Sequence, residues 1–216
     1  MFIGHFALGL AAKRVTPRVS LALLFAAAQL ADILWPAFLA IGLEQVRIDP
    51  GNTAFTPLDF VSYPYSHSLV LLVVWGVLLA FLSRPFARGP RVSAVIAALV
   101  VSHWLLDFVT HRPDMPLYPG GAKFGLGLWH SIPATVAVEV PLFAAGLWIY
   151  TRATHPRDRV GKWAFGSLII TLLLIYVANI FSPPPPSVPA LTAVAIAGAV
   201  VFTVWSGWAD RHRDVA

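Results

Sequence analysis

The sequence predicts an all-α fold, a polytopic membrane helix bundle of about six transmembrane spans with a short N-terminal re-entrant or interfacial helix. Three observations point to it. Of 216 residues 58% are hydrophobic and only 12% are charged, with a mean hydropathy of +0.75. Soluble domains carry about 25% charged residues, so this chain lacks the polar surface to cover itself in water. Six segments are apolar over the roughly 17–25 residues that cross a hydrocarbon core. The basic residues between those segments fall on one side.

Met1 to Ala12 is apolar but too short to span comfortably. A secretory signal has a basic region before its apolar run and a small-residue cleavage site after it. Here Lys13 and Arg14 follow the run, which predicts a retained short helix. The spans lie near 19–43, 67–83, 92–111, 131–151, 163–181 and 189–208. They form a single integral membrane domain, 1–216, in which 1–151 holds a candidate metal site. The two helices of 152–216 have no acidic, basic or His side chain in their interiors and read as scaffold. The run Pro183–Pro186 is a stiff, extended spacer between them. The glycine-rich segment 118–127 lacks the strand-to-helix context of a phosphate-binding loop and reads as a connector shaped by turn residues.

Twelve of the 15 Lys and Arg residues lie before the first span, after the second, after the fourth, or in the tail. Only Arg47, Arg112 and Lys123 lie on the other side. The positive-inside rule makes the first set cytoplasmic. The high pI thus reports topology, with no need for a nucleic-acid partner. The chain has no cysteine, so any metal is held by nitrogen and oxygen ligands.

An ionisable residue inside a span costs on the order of 2.5–3.5 kcal/mol on insertion scales and signals function by default. Asp32, His103, Asp107 and Glu139 stand inside spans; His67 opens the second, and His111 and His130 sit at outer ends. His103, Asp107 and His111 are spaced i, i+4, i+8, one stripe of a helix. Neighbours four apart lie about 6 Å apart along the axis, close enough to share an ion, whereas the two His lie about 12 Å apart, too far. His103 and Asp107 can chelate one metal or form a hydrogen-bonded pair that stabilises the bundle. Asp32 favours the metal. Pro36 clashes with the carbonyl four residues back, leaving a carboxylate and a freed carbonyl at one depth with no Lys or Arg nearby. The other arrangement is a protonated Asp32 bonded to Gln29 or a neighbouring helix. In Ser66-His67-Ser68 the serines either cap a helix or orient the imidazole. Glu139, nine positions past His130, falls on nearly the opposite face at about 100° per residue. It lines the cavity or pairs with another helix. His155 and His212 read as solvated.

Gly4-His5, Leu30-Ala31-Asp32, Ser66-His67-Ser68 and Ser102-His103-Trp104-Leu105-Leu106-Asp107 together resemble a bacterial family of membrane-bound metal-dependent hydrolases. The resemblance covers about the first two-thirds of the chain. The order His5, Asp32, His67, His103 with Asp107, His111, His130 is also similar to the ligand order of zinc-dependent phospholipases C and the related single-strand nucleases. It implies a metal cluster in a helical bundle that hydrolyses phosphoesters. Two positions depart from the patterns. Leu34 stands where the membrane hydrolases have a second Asp, and Ala134 where the last ligand pair has its acid. One or two ions are therefore expected instead of three.

The resulting expectation is a metal-dependent hydrolase in the bacterial inner (cytoplasmic) membrane, its site opening toward the non-cytoplasmic face. His67, His103, Asp107 and Asp32 hold one ion; His5 and His111 serve another. Zinc suits these ligands first, manganese second. The ion lowers the pKa of water to about 7 and polarises the scissile group, and Asp32 acts as proton acceptor. Arg112, Lys123 and His130 are the candidate substrate contacts. The lipid bilayer is the partner, and a lipid or lipid-linked phosphoester the expected substrate. The rival expectation is an ion or metal transporter, or a metal-binding membrane protein, since buried Asp and His also mark ion pathways.

Overall fold

The computed structural model describes residues 1–216 and is mainly helical. Helix α1 (Ile3–Ala12) is followed by α2 (Leu21–Ala28) and α3 (Leu30–Ala40). A ribbon of β1 (Gln45–Ile48) and β2 (Leu58–Ser62) leads into the single turn α4 (Pro64–His67). Then come α5 (Leu69–Leu82) and α6 (Pro90–Thr110). A second ribbon, β3 (Met115–Pro116) with β4 (Lys123–Phe124), precedes α7 (Ile132–Ala153). Strand β5 (Thr154–Pro156), α8 (Arg159–Phe181), α9 (Val188–Arg211) and β6 (Arg213–Val215) complete the chain, with β6 antiparallel to β5.

The bundle is polytopic, as expected, but has fewer full spans than six. Helices α6, α7, α8 and α9 are long and apolar enough to cross a membrane. Helices α2 and α3 pass that test only as a pair bent by 61°, which makes five at most. The expected span 19–43 breaks at Gln29, whose φ −104°, ψ 10° leaves the helical region. The α5 helix has 14 residues, roughly 21 Å at 1.5 Å each, against a core of about 30 Å. Hydropathy identifies α5 as apolar, but Ser68 in extended conformation and the turn after Leu82 cut it short.

Local signals set the long helices. Ser131, Asp158 and Ser187 accept hydrogen bonds from Ala134, Gly161 and Ala190 N–H groups, capping α7, α8 and α9. Helix α1 lies inside the bundle, with Ile3, His5, Phe6, Ala7 and Leu10 buried. Gly146 lets it pack on α7: a Cβ there would stand 2.4 Å from the Ala7 carbonyl oxygen. Its N-terminus is held by Glu139, which accepts from the Phe2 N–H at 2.9 Å and the Gly4 N–H at 3.3 Å. A carboxylate suits the positive end of a helix. At the basic end of the bundle Asp210, in the last turn of α9, accepts from Lys13 Nζ at 2.6 Å, the Tyr150 hydroxyl at 2.9 Å and the Leu21 N–H at 3.0 Å. That buried network ties α1, α2, α7 and α9 together, where the sequence places no ionisable group inside the expected last span.

Candidate metal centre

Five polar side chains from four elements meet beside α1. His5 comes from α1, Asp32 from the first turn of α3, His67 from the end of α4, and His103 and Asp107 from one face of α6. His5 and His103 stack ring on ring at 3.7 Å, and His67 meets His103 edge-on at 5.2 Å. Asp107 bridges the group. Its Oδ1 lies 3.0 Å from His5 Nε2, and its Oδ2 lies 3.1 Å from His103 Nε2 and 3.8 Å from His67 Nε2. Asp32 Oδ1 lies 3.5 Å from His67 Nε2 and 3.7 Å from His103 Nε2. The donor atoms form two overlapping triads, His5–His103–Asp107 and Asp32–His67–His103, each with ligand atoms within 4.8 Å.

The hydrogen bonds behind the rings assign the tautomers. His103 Nδ1 is 2.9 Å from the Ala28 carbonyl, which can only accept, so Nδ1 carries the proton. His67 Nδ1 is 2.7 Å from Ser66 Oγ, and that hydroxyl donates to Glu44 Oε2 at 2.7 Å. The serine proton is thus used, and His67 Nδ1–H donates to it. In their neutral forms both rings present Nε2 lone pairs to the oxygens of Asp32 and Asp107. Four acceptors converge with no donor among them, and His103 Nε2 is buried without a hydrogen-bond partner. Acceptors facing one another in a buried site repel unless a cation stands between them. The donor set of imidazole nitrogen and carboxylate oxygen fits zinc or manganese. The Met1 amino group reaches only the Oδ1 side of Asp107, so it leaves the other four acceptors unmatched.

Asp32 differs from its companions. Its side chain is 43% exposed while those of His67, His103 and Asp107 are at most 3% exposed. It stands near the bend of the broken span, at the wall of a cavity of about 440 Å³, and not deep in a continuous helix. His67, Asp107 and His111 share that wall, and Phe6, Phe25, Phe60, Trp35 and Trp129 make much of the rest.

His111 joins neither triad. A continued helix would carry it a full stripe beyond His103, but α6 stops at Thr110 and His111 turns to extended backbone, φ −69°, ψ 150°. Its Nε2 comes to 3.9 Å from Asp107 Oδ2, while Nδ1 bonds Asp114 Oδ1 at 3.0 Å. Burial pushes the Asp114 carboxyl upward, but the hydrogen bond and charge of His111, with bonds from Tyr63 and Arg112, outweigh it and hold it below the usual carboxylate range. Burial and the neighbouring Asp114 raise the Tyr63 hydroxyl well above its ordinary value.

Arg112, Lys123 and His130 do not line the cavity. Arg112 is spent on Asp59, on Asp114 at 3.2 Å and on Asn52 at 2.6 Å. Lys123 is exposed and reaches only the Val61 carbonyl at 3.4 Å, and His130 is exposed in a 3-10 turn, Leu128–His130. Sequence reasoning missed Glu44 and Asp114. Each is a lone loop acid just past a helix end, and only the three-residue offset of Asp114 from His111 hinted at a pairing.

A family model described as YdjM inner membrane protein matches residues 1–184. The chain belongs to the YdjM inner membrane protein family. Comparison with curated proteins and with solved structures found no match. The matched stretch contains every residue of both triads, and it ends between α8 and α9. Membership in the YdjM family makes the chain an inner membrane protein, in keeping with its long apolar helices.

Proposed function

We propose that this YdjM-family protein is a membrane-embedded metal-dependent hydrolase acting on a phosphoester of a lipid or lipid-linked substrate. One observation carries the reading: the unmatched Nε2 atoms of His67 and His103 converge with the carboxylates of Asp32 and Asp107 at the wall of an apolar cavity. Asp32, His67, His103 and Asp107 would hold one ion, and His5 with Asp107 would help hold a second. A zinc or manganese ion there supplies Lewis acidity that acidifies water and polarises a phosphoryl oxygen. The chain's own groups do the rest. Asp32, the half-exposed carboxylate, takes a proton from water entering the cavity. The Ala28 carbonyl and the Glu44–Ser66 pair keep the two imidazoles in the ligating tautomer. The aromatic walls exclude bulk water and strengthen every charge interaction inside. The site is proposed to open toward the non-cytoplasmic face, following the basic-loop count.

The test offers solubilised protein a panel of phospholipids and isoprenoid phosphates with zinc or manganese, and measures released phosphate or headgroup. Release that requires metal, His103 and Asp32 is expected, with Asp32→Asn inactive yet still holding metal through His67, His103 and Asp107. The rival reading is an ion carrier, suggested by acids and histidines buried together beside a spanning helix. Asp32-dependent metal or proton flux in vesicles, with no product from any lipid, would replace the hydrolase with that reading.

A further inference from the structure

The part of the cavity away from the triads is walled by α8 and α9, which supply no candidate ligand. Ile175 lines it from α8, and Leu191, Ala195, Gly198, Ala199 and Phe202 line it from α9. The α9 lining runs from Leu191 to Thr203, twelve residues or roughly 18 Å parallel to the helix axis. The space is therefore long and apolar, and it ends at a polar cluster. It is also open. Val194, another lining residue, is 71% exposed, and almost none of the apolar stretch of α9 is buried within the chain. Gly198 keeps the channel clear, since a Cβ there would meet only Phe202, at 3.8 Å. Charge selects among occupants. No Lys or Arg side chain lines the cavity, while Asp32 and Asp107 do. Recognition of a water-soluble polyanion ordinarily draws on several Lys or Arg side chains; here the Met1 amino group and the proposed ion stand at the triads, and nothing along the α8–α9 wall attracts charge.

We propose that the α8–α9 wall is a subsite for a hydrocarbon chain, so that the occupant is a membrane lipid lying along α9 with its polar group at the triads. The bilayer supplies such a chain directly, because a spanning α9 presents its open face to lipid. The chain stays in an apolar setting throughout, and only the headgroup exchanges surroundings. The proposal rests on the hydrolase reading only for what then happens to the headgroup.

The experiment places the full-length protein in vesicles containing a phosphatidylethanolamine with a diazirine near the end of one acyl chain. Photolysis is followed by mass-spectrometric mapping of adducts. Adducts are expected on the inward residues Ile175, Ala199 and Phe202 as well as on outward Val200 and Val204. Gly198→Leu should remove the inward adducts and leave the outward ones and the metal content unchanged. Gly166→Leu, the same change on α8 outside the cavity with open space around it, should alter neither. Ala199→Leu narrows the same wall and replaces Gly198→Leu should that variant not fold. Inward adducts that are missing from the wild type, or that persist in the narrowed variants, would overturn the subsite. If inward labelling follows Gly198 but no lipid yields metal-dependent product, the subsite stands and the hydrolase reading falls. If metal-dependent turnover is indifferent to Gly198→Leu, the hydrolase stands and the subsite falls.

Discussion

Ser66→Ala isolates the tautomer argument from the ligands themselves. Ser66 is fully buried and sits between His67 Nδ1 and Glu44 Oε2, 2.7 Å from each. Removing its hydroxyl leaves the α4 turn anchored, because Glu44 Oε1 still accepts from the Tyr65 and Ser66 N–H groups at 2.8 and 2.9 Å. What is lost is the acceptor for His67 Nδ1–H. A buried donor without a partner costs about 1–3 kcal/mol. The ring can avoid that only by moving its proton to Nε2, which removes the lone pair offered to the ion. Loss of such supporting bonds typically weakens metal binding by about 10–100-fold, or roughly 1.4–2.8 kcal/mol, in line with the desolvation figure. The assay is zinc competition against a chromophoric chelator with solubilised protein. Ser68→Ala is the matched control, since Ser68 Oγ is buried without a partner and its removal should leave affinity unchanged. Wild-type affinity in Ser66→Ala, or equal losses in both variants, would refute the assigned tautomer.

His103→Ala and Asp107→Ala should each lose metal by elemental analysis, because His103 belongs to both triads and Asp107 touches His5 and His103 at once. His155→Ala and His212→Ala should retain it, His155 being exposed and His212 paired with Asp158 at 2.7 Å far from the cluster. Glu139→Ala leaves the Phe2 and Gly4 N–H groups uncapped and should lower thermal stability in detergent by about 1–3 kcal/mol; an unchanged melting temperature would deny that Glu139 anchors α1. For topology, Ala122→Cys should react with an impermeant thiol reagent in intact cells, whereas Pro85→Cys and His155→Cys should not. All three positions are exposed, and the cysteine-free background makes each readout clean.

The apolar helices, the His-x-x-x-Asp stripe on α6 and the unusual polarity of Asp32 and His67 were legible because each is local, whereas His5 entered through the resemblance in residue order. Hydropathy, i to i+4 spacing and a costly charge in a span are all visible within a few residues. The shortfall in spans was not legible. Composition marks a segment as apolar, but Gln29 and the short α5 depart from a spanning helix through backbone geometry. The end of α6 at Thr110, after which the His111 ring meets Asp114, was not legible either.

The order of residues alone settles which side chains are too polar for their surroundings and hence need partners. Which partners they find is a tertiary matter. Asp107 can meet His5 only because Gly146 lets α1 sink against α7, and Glu139 serves α1 instead of the cavity because its face of α7 meets that helix end. Arg112 gains an ionic partner because folding brings Asp59, fifty-three positions away, to it. The two C-terminal helices, whose middles carry no acidic, basic or His side chain, become a cavity wall because α9 packs against α3 and α8 with Ala195, Gly198 and Ala199 turned inward. A costly charge can be counted along the chain; the neighbour that offsets its cost is chosen by packing.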